Sequence, residues 1–258
     1  MPISGQLELA QQVWYFSHMQ IDIQLLPLPP SIEILSGRTV VVIDVLRATS
    51  VIVSALARGA AEIIPVSTVE EATRLVETFP RGSTLLGGER ESRKIEGFDF
   101  GNSPAEYTSE KIRGKRVILT TTNGTKAFHS VAGAKEILAG SFLNARATAQ
   151  RCLDSGRDIL IFPSGDKGRF SIEDVACGGM LIERIAERRG RHLDLSDAAF
   201  SSRLLYERFK GGLVEVLRLS DHGKDLLALG LGEDLLYCAQ TDITDLVPIF
   251  THGVIRIF

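Results

Sequence analysis

One short stretch of the sequence places metal-binding and anion-binding side chains directly after an apolar run. The β-branched run 40–43 is followed by a carboxylate, a guanidinium and two hydroxyls. These belong to Asp44, Arg47, Thr49 and Ser50. The apolar run predicts a buried strand, and open α/β sheets bind ligands at the carboxyl ends of their strands. This combination of groups suits a phosphorylated or otherwise anionic ligand.

Four further strand-like runs lead into polar loops of similar chemistry. The loops are Gly87–Arg90, Thr120–Lys126, Gly140–Asn144 and Pro163–Arg169. They contain small residues, hydroxyls, amides and charges of both signs, and several lead into helix N-termini, which favour anions. In a parallel sheet these loops share one edge with the Asp44 loop. We therefore expect one binding site along that edge.

Each of these side chains also has a purely structural interpretation. Six of them could simply cap helices: Thr49, Ser50, Ser103, Asn123, Asn144 and Ser171. Asp44 could cap the next helix or pair with Arg47, although a carboxylate that ends a buried strand needs a strong partner. Asp174 could complete a capping box. Glu89 and Arg90 could form a surface ion pair of little energetic value.

Strand-like and helix-like runs alternate from about residue 38 to residue 189. The strand-like runs are 39–45, 62–66, 84–87, 116–120, 136–139 and 158–162. The helix-like runs are about 49–59, 68–79, 124–133, 145–155 and 172–189. This alternation predicts an α/β layer fold with a mainly parallel sheet. Beyond residue 190 the pattern is mostly helical, with apolar segments at 213–218 and 246–257 that could add edge strands.

The length of 258 residues predicts one domain over 1–258, in which residues 1–30 form an N-terminal leader and connector. Trp14, Tyr15 and Phe16 could dock the leader onto the body or onto a second subunit. The proline-rich segment 26–30 predicts a stiff, extended connector.

The composition excludes several classes of partner. Hydrophobic residues make up 44% and charged residues 24% of the chain, as in soluble globular proteins. The net charge of −3 gives no general attraction for nucleic acid or an anionic membrane. No apolar run approaches the ~18 residues of a membrane span. Without a secretory signal, and with three widely spaced cysteines, the sequence predicts a cytoplasmic protein.

Common nucleotide-binding and hydrolase motifs are absent from the sequence. There is no G-x-x-x-x-G-K-[S/T] loop and no G-x-G-x-x-G after the first strand-like run. There is also no G-x-S-x-G elbow and no H-E-x-x-H helix. Asp44 lacks a second aspartate two positions later, which argues against a haloacid-dehalogenase phosphatase.

Five motifs, in order, resemble those of the 2-phosphosulfolactate phosphatase family. They are Asp44–Ser50, Gly87–Arg90, Gly97–Pro104, Thr121–Thr125 and Ser171–Gly179. The resemblance spans most of residues 40–180 and is looser in the C-terminal third. It implies a three-layer α/β/α fold with a mixed, mainly parallel sheet, and a homodimer. It also implies a magnesium-dependent phosphatase that converts (R)-2-phospho-3-sulfolactate to sulfolactate and phosphate, a step in coenzyme M biosynthesis.

The carboxylates near the predicted edge are candidate ligands of Mg²⁺, which prefers hard oxygen ligands. On the resemblance, Asp44 would hold the ion with one or both of Glu173 and Asp174. Glu89 is a reserve ligand. Asp44 would also be catalytic, either by attacking phosphorus or by activating a metal-bound water, and the residues leave both routes open.

The remaining candidates would bind the substrate, a small anionic phosphoester. Arg47 and Arg90 would grip phosphate or sulfonate oxygens, and Lys167 would neutralise charge in the transition state. Further contacts would come from Thr49, Ser50, Thr122, Asn123, Gly124, Ser141, Asn144 and Ser164.

Two other functions remain open from the sequence. The first is a phosphatase for other 2-phospho-hydroxy acids, because one sulfonate contact decides between these substrates. The second is a protein that binds a phosphorylated metabolite without catalysis. Several carboxylates beside a phosphate site argue against the second, since they repel the ligand unless a metal intervenes.

Overall fold

The computed structural model describes residues 19–189 and 193–258, which form an eleven-stranded sheet and its surrounding helices. Trp14, Tyr15 and Phe16, which the sequence suggested as docking residues, lie outside these ranges. In the described ranges, no helix is both long enough and apolar enough to cross a bilayer.

Strands and helices alternate through the first two thirds of the chain, and helices predominate after that. The strands are β1 Gln20–Ile23, β2 Thr39–Ile43, β3 Glu62–Pro65, β4 Thr84–Arg90, β5 Arg93–Lys94, β6 Arg116–Thr120, β7 Glu136–Gly140, β8 Ile159–Pro163, β9 Asp194–Leu195, β10 Ile249–Thr251 and β11 Val254–Arg256. The helices are α1 Ile32–Leu35, α2 Ala48–Ala57, α3 Val69–Val76, α4 Ser109–Ile112, α5 Gly124–Ser130, α6 Ala145–Ser155, α7 Ile172–Arg189, α8 Asp197–Phe209, α9 Leu213–Leu219, α10 Asp221–Ala228 and α11 Gly232–Cys238. Short 3₁₀ turns lie at Pro104–Glu106 and Phe142–Asn144.

The sheet consists of two parallel blocks joined by an antiparallel hairpin. Its strand order is β5-β4-β6-β3-β11-β10-β7-β2-β8-β1-β9. β4, β6 and β3 pair in parallel in one block, and β7, β2, β8, β1 and β9 do so in the other. The β10–β11 hairpin is antiparallel to β7 on one side and to β3 on the other. The sheet is therefore mixed and mainly parallel, which confirms the predicted fold class.

Strand β2 lies between two layers of helices, and all five of its residues are buried. Val41 and Ile43 pack into a core that includes side chains of α6, α7 and α8. Val40 and Val42 pack into the core on the opposite face, with side chains of α2 and α5. Because successive side chains of a strand point to opposite faces, this apolar run produces the three-layer arrangement and fixes the position of Asp44 at its end.

The predicted elements before residue 190 are all present, with ends that move by up to three residues. Two expectations elsewhere were wrong. Segment 213–218 belongs to helix α9, because a short apolar run fits a buried strand or a helix equally well. Segment 246–257 forms strands, but at the centre of the sheet and not at its edge. Strand β1, at residues 20–23, precedes the proline-rich connector 26–30 and pairs with β8 and β9.

Candidate active site

A cleft in two parts opens near the end of β2. The wide compartment has a volume of about 660 Å³ and the narrow compartment about 230 Å³. Asp166 and His222 line both compartments, so the two parts adjoin. Residues from the loops after β4, β6 and β8 line the wide compartment together with α10. The predicted loops after β4, β6 and β8 therefore meet here, whereas the loop 140–144, which was expected at the same edge, lines neither compartment of the described structure.

Asp44 is buried at the carboxyl end of β2 and is held between two helix N-termini. Its Oδ1 atom accepts a hydrogen bond of 3.0 Å from the N–H of Ala48, the first residue of α2. Gly124, the first residue of α5, packs so closely that a Cβ atom there would lie 2.5 Å from Asp44 Oδ2. Asp44 therefore caps α2, as one structural interpretation predicted, and Gly124 is required beside it because a larger residue would clash.

Groups of the cleft act on the ionisation of Asp44. Burial is the largest influence, and it raises the pKa of the Asp44 carboxyl. The charge of His222 and hydrogen bonds from Ala48 and Ser164 lower this pKa, whereas the charge of Glu89 raises it. Asp44 thus lies within electrostatic reach of His222 and Glu89, which both line the wide compartment.

Glu173 and Asp174, in the first turn of α7, are both buried but use their oxygens differently. Asp174 Oδ1 accepts a hydrogen bond of 2.8 Å from the N–H of Val45, and Asp174 Oδ2 lies 3.5 Å from Ser164 Oγ. Glu173 lines the narrow compartment, and among the described residues its Oε2 atom has no hydrogen-bond partner. Asp174 joins α7 to the loop after β2, whereas Glu173 keeps one oxygen available. We call Asp44, Glu173 and Asp174 the carboxylate floor; Glu173 lines the narrow compartment, whereas Asp44 and Asp174 are buried behind the lining of the described cleft.

Burial dominates the ionisation of the two carboxylates of α7. It raises the pKa of Glu173, and the nearby charge of Asp44 raises this pKa further. It raises the pKa of Asp174 well above the ordinary value, with added repulsion from Glu173 and Asp44. Three carboxylates that repel one another away from water favour a proton or a cation among them.

Glu89 joins the loops that follow β4 and β6. Its Oε1 atom accepts a hydrogen bond of 2.8 Å from the N–H of Thr122, and its Oε2 atom accepts one of 2.8 Å from the N–H of Ser92. Each oxygen already has a backbone donor, so Glu89 positions these loops. Its predicted role as a reserve metal ligand stays a prediction.

The wide compartment brings together four of the predicted substrate-binding or catalytic residues. They are Arg90, Thr122, Asn123 and Lys167. Arg90 donates hydrogen bonds to the Glu89 carbonyl at 2.7 Å and to Thr120 Oγ1 at 3.0 Å, which fix its guanidinium. The ammonium of Lys167 lies 3.4 Å from Asp225 Oδ2, and both side chains are more than half exposed. We call Arg90 and Lys167 the cationic rim.

Arg47 turns away from Asp44 and pairs with a residue that the sequence did not indicate. Its Nη1 atom lies 2.7 Å from Asp234 Oδ2, and its Nη2 atom donates to the Ser92 carbonyl at 3.0 Å. The side chain of Arg47 is only 2% exposed. The Asp44–Arg47 pair considered from the sequence does not form. The predicted contact of Arg47 with substrate stays a prediction.

Four predicted substrate contacts are used in local hydrogen bonds and do not line the cleft of the described structure: Thr49, Ser50, Ser141 and Asn144. Thr49 Oγ1 donates to the Asp44 carbonyl at 2.8 Å, and Ser50 Oγ donates to the Val45 carbonyl at 2.8 Å. Asn144 Oδ1 accepts from the N–H of Ser141 at 3.0 Å and closes a capping box. Their geometry favours the structural interpretation, because each polar group already has a partner nearby.

His222 is a residue of the cleft that sequence reasoning missed. It lies in the first turn of α10, lines both compartments and has Nε2 3.3 Å from Ser92 Oγ. The contact joins residues 130 positions apart. The five histidines showed no metal-ligand spacing, so no local signal distinguished this one.

The carboxylate floor fits a hard divalent cation that keeps part of its water shell. Within the described ranges, no three His, Cys, Asp or Glu side chains converge as a complete metal site. Magnesium needs only one or two carboxylates from a protein, because it retains several waters. Asp44 and Glu173 meet that requirement: both are buried, they repel each other, and Glu173 Oε2 is unpaired among the described residues.

Comparison with known proteins finds relatives over most of the chain. Residues 28–253 match the family model described as 2-phosphosulpholactate phosphatase. A protein of Caldanaerobacter subterraneus subsp. tengcongensis named "Probable 2-phosphosulfolactate phosphatase" is 43% identical over 222 residues, which cover 86% of this chain and 91% of the relative. One of the same name from Clostridium novyi is 43% identical over 234 residues, or 91% and 98% of the two chains. A third, from Symbiobacterium thermophilum, is 41% identical over 226 residues, or 88% and 96%.

Proposed function

The chain belongs to the 2-phosphosulpholactate phosphatase family, and on that premise we propose that it hydrolyses (R)-2-phospho-3-sulfolactate to sulfolactate and phosphate. Magnesium is the proposed cofactor, and coenzyme M biosynthesis is the proposed context. One observation carries the proposal: a floor of buried, mutually repelling carboxylates lies beside a compartment whose lining includes both the cationic rim and acidic side chains.

The chemistry of the substrate matches this distribution of charge. Phosphosulfolactate carries a phosphate, a carboxylate and a sulfonate on three carbons, so it needs several cationic or N–H donors close together. The wide compartment offers Arg90, Lys167 and the amide of Asn123. Arginine suits such oxyanions because its fork of N–H groups forms charge-assisted hydrogen bonds. A compartment of about 660 Å³ has ample room for a ligand of this size.

The carboxylates of the floor would have two tasks in the reaction, which are to bind magnesium and to act on phosphorus or water. Bound magnesium would neutralise negative charge on the phosphoryl oxygens, with Asp44 and Glu173 as its protein ligands. Asp44 Oδ1 is occupied by the N–H of Ala48, so Oδ2 is the atom available for catalysis. It either attacks phosphorus or orients the attacking water. The stereochemical course at an isotopically chiral phosphoryl group distinguishes these routes. Direct attack of water displaces the sulfolactate oxygen in one step and inverts phosphorus, whereas attack by Asp44 followed by attack of water on the aspartyl phosphate inverts it twice and gives net retention.

A panel of phosphoesters tests the proposal. Phosphate release is measured with 2-phosphosulfolactate, 2-phospholactate and 2-phosphoglycerate, each with and without magnesium. We expect magnesium-dependent turnover of 2-phosphosulfolactate, and a kcat/KM roughly 100-fold lower for the two analogues that lack the sulfonate, because they lose a charged contact.

The outcomes separate the three functions that the sequence left open. Equal turnover of all three esters would indicate a general phosphatase of 2-phospho-hydroxy acids. Tight binding of 2-phosphosulfolactate without phosphate release, at any magnesium concentration, would indicate a protein that only binds the metabolite. Turnover that is unaffected by a chelator would contradict the role of magnesium.

Two further properties implied by the family resemblance, a homodimer and a cytoplasmic location, are part of the proposal. Light scattering of the purified protein measures the first, and a mass of one chain would contradict it. Fractionation of the source cells measures the second.

A further inference from the structure

We infer that Asp234 is a positioning residue of the active site and that it acts through Arg47. The buried pair holds the turn between β4 and β5, which carries Ser92. Ser92 in turn fixes Glu89 and His222 at the cleft. The catalytic consequence of this inference rests on the proposed function, whereas its structural part does not.

The Arg47–Asp234 pair is the first link. Asp234 lies in the first turn of α11 and is 4% exposed. Its Oδ2 atom lies 2.7 Å from Arg47 Nη1, and its Oδ1 atom accepts a hydrogen bond of 2.6 Å from Ser103 Oγ. Both carboxylate oxygens are thus satisfied away from water, and Arg47 has a single fixed orientation. Ser103 occupies the N-cap position of the 3₁₀ turn at Pro104–Glu106, as the sequence suggested, but its hydroxyl donates to Asp234 and not to that turn.

The turn that Arg47 contacts has an unusual backbone. Glu91 and Ser92 have φ angles of 52° and 64°, in the left-handed region that side chains other than glycine disfavour. Two consecutive residues of this kind persist only where their surroundings impose the conformation. The hydrogen bond of 3.0 Å from Arg47 Nη2 to the Ser92 carbonyl is one such constraint.

Ser92 contacts two residues of the cleft, one through its backbone N–H and one through its hydroxyl, so the position of the turn affects both. Its N–H donates to Glu89 Oε2 at 2.8 Å, and its Oγ atom lies 3.3 Å from His222 Nε2. Glu89 also accepts from the N–H of Thr122, so the position of the turn affects the loop after β6 as well. A chain of contacts therefore runs from Asp234 to both compartments, and Asp234 itself lines neither of them in the described structure.

This geometry gives Arg47 a different task from Arg90. Arg47 is 2% exposed and gives one N–H group to Asp234 and another to the turn. Arg90 lines the wide compartment, where a substrate anion can reach it. Arg90 thus suits substrate binding, and Arg47 suits positioning.

Limited digestion with trypsin tests the structural part on the complete protein without substrate. Arg93 and Lys94 are exposed cleavage sites next to the turn. Asp234→Asn releases Arg47, so cleavage after these residues, located by mass spectrometry, should accelerate at least ~10-fold as the turn opens more often. The matched control is Asp245→Asn, which removes the carboxylate of an exposed Asp–Arg pair with Arg146 and should leave the rate unchanged.

Steady-state kinetics test the catalytic part. Asp234→Asn should lower kcat for phosphate release at least ~10-fold and change KM less than ~3-fold, because the loss is of orientation and not of a substrate contact. Arg47→Gln should do the same. The double variant should be no worse than the poorer single variant, because both act through one chain of contacts.

Thermal melting by circular dichroism shows whether each variant folds. Ser103→Ala, which removes only one hydrogen bond to Asp234, provides a milder change if Asp234→Asn does not fold, with the same direction expected in both assays. Unchanged cleavage in a folded Asp234→Asn or Ser103→Ala variant would overturn the inference. So would a raised KM with unchanged kcat, which would place Arg47 on the substrate. If the wild-type protein hydrolyses no phosphoester, the proposed function fails, and the cleavage rates still decide the positioning role.

Discussion

The carboxylate floor and the cationic rim lie at one cleft but are built in different ways. Asp44, Glu173 and Asp174 are 6%, 2% and 3% exposed and follow directly from strand β2 or begin helix α7. The side chain of Lys167 is 58% exposed and belongs to a loop. The core therefore holds the carboxylates of the floor in place and away from water, where they repel one another strongly. Water surrounds much of the rim and weakens the interactions of its charges. Changes in the floor should accordingly have larger effects than changes in the rim.

Removing the charge of Asp44 should have the largest effect. Asp44→Asn preserves the shape of the side chain, so we expect an intact fold and a loss of about 1000-fold in kcat/KM, since the residue is both metal ligand and catalytic group. The rate of phosphate release from 2-phosphosulfolactate measures this loss in kcat/KM. Asp154→Asn, an exposed position on α6, is the control. Activity within ~10-fold of wild type would remove Asp44 from catalysis.

The two carboxylates of α7 should differ from each other. Glu173 has an oxygen without a partner in the described structure, so Glu173→Gln should raise the magnesium needed for half-maximal rate at least ~10-fold. Asp174→Asn should raise it less than ~3-fold, because Asp174 Oδ1 is occupied by the N–H of Val45 and asparagine keeps that acceptor. An equal rise in the required magnesium concentration in both variants would show that Asp174 binds the ion as Glu173 does. An unchanged requirement in both variants would show that the ion binds elsewhere.

Within the rim, the fixed cation should matter more than the exposed one. Arg90→Gln should raise KM about 10-fold, because a charge-assisted contact held by Glu89 and Thr120 is lost. Lys167→Gln should raise KM less than ~3-fold, because this cation is solvated and its pair with Asp225 is weak. A fall in kcat for Lys167→Gln with unchanged KM would instead support its predicted role in the transition state.

The stability of the protein should depend on pH because the three carboxylates of the floor are buried. Burial raises the pKa values of Asp44, Glu173 and Asp174, so the folded protein holds more protons than the unfolded chain above about pH 4. The contribution of these three carboxylates to the stability of the metal-free protein should therefore be largest at low pH and should be lost as pH rises through the raised pKa values. Magnesium offsets the repulsion, so it should raise Tm by about 3 °C more at pH 8 than at pH 5.

Melting curves with and without magnesium at the two pH values measure this effect. Glu173→Gln is the internal comparison, because it removes one charge of the floor and should reduce the gain. The same gain at both pH values would show that the ion does not bind at these carboxylates.

Local patterns in the sequence predicted the floor but left some side chains undecided. The apolar run before Asp44 and the helix after it depend on neighbours a few residues away, so their periodicity reveals them. The same pattern could not tell whether Thr49 and Ser50 bind substrate or the backbone. The structure decides, because each donates to a carbonyl five residues earlier.

The rest of the site depends on contacts between distant parts of the chain. Arg47 and Asp234 are 187 positions apart, and Ser92 and His222 are 130 positions apart. No spacing rule connects such pairs, because the fold brings them together. The central place of β10 and β11 was missed for the same reason: an apolar segment indicates burial without indicating its partner strands.

The β10–β11 hairpin lies at the centre of the sheet but is synthesised after all the other strands. β3 and β7 are synthesised more than 100 residues before residues 249–256. Until the hairpin arrives, each of these strands has an edge of unpaired N–H and C=O groups that can pair with another chain. Completion of the sheet is thus a late, long-range event, and those two edges need protection until residues 249–256 are available to pair with them.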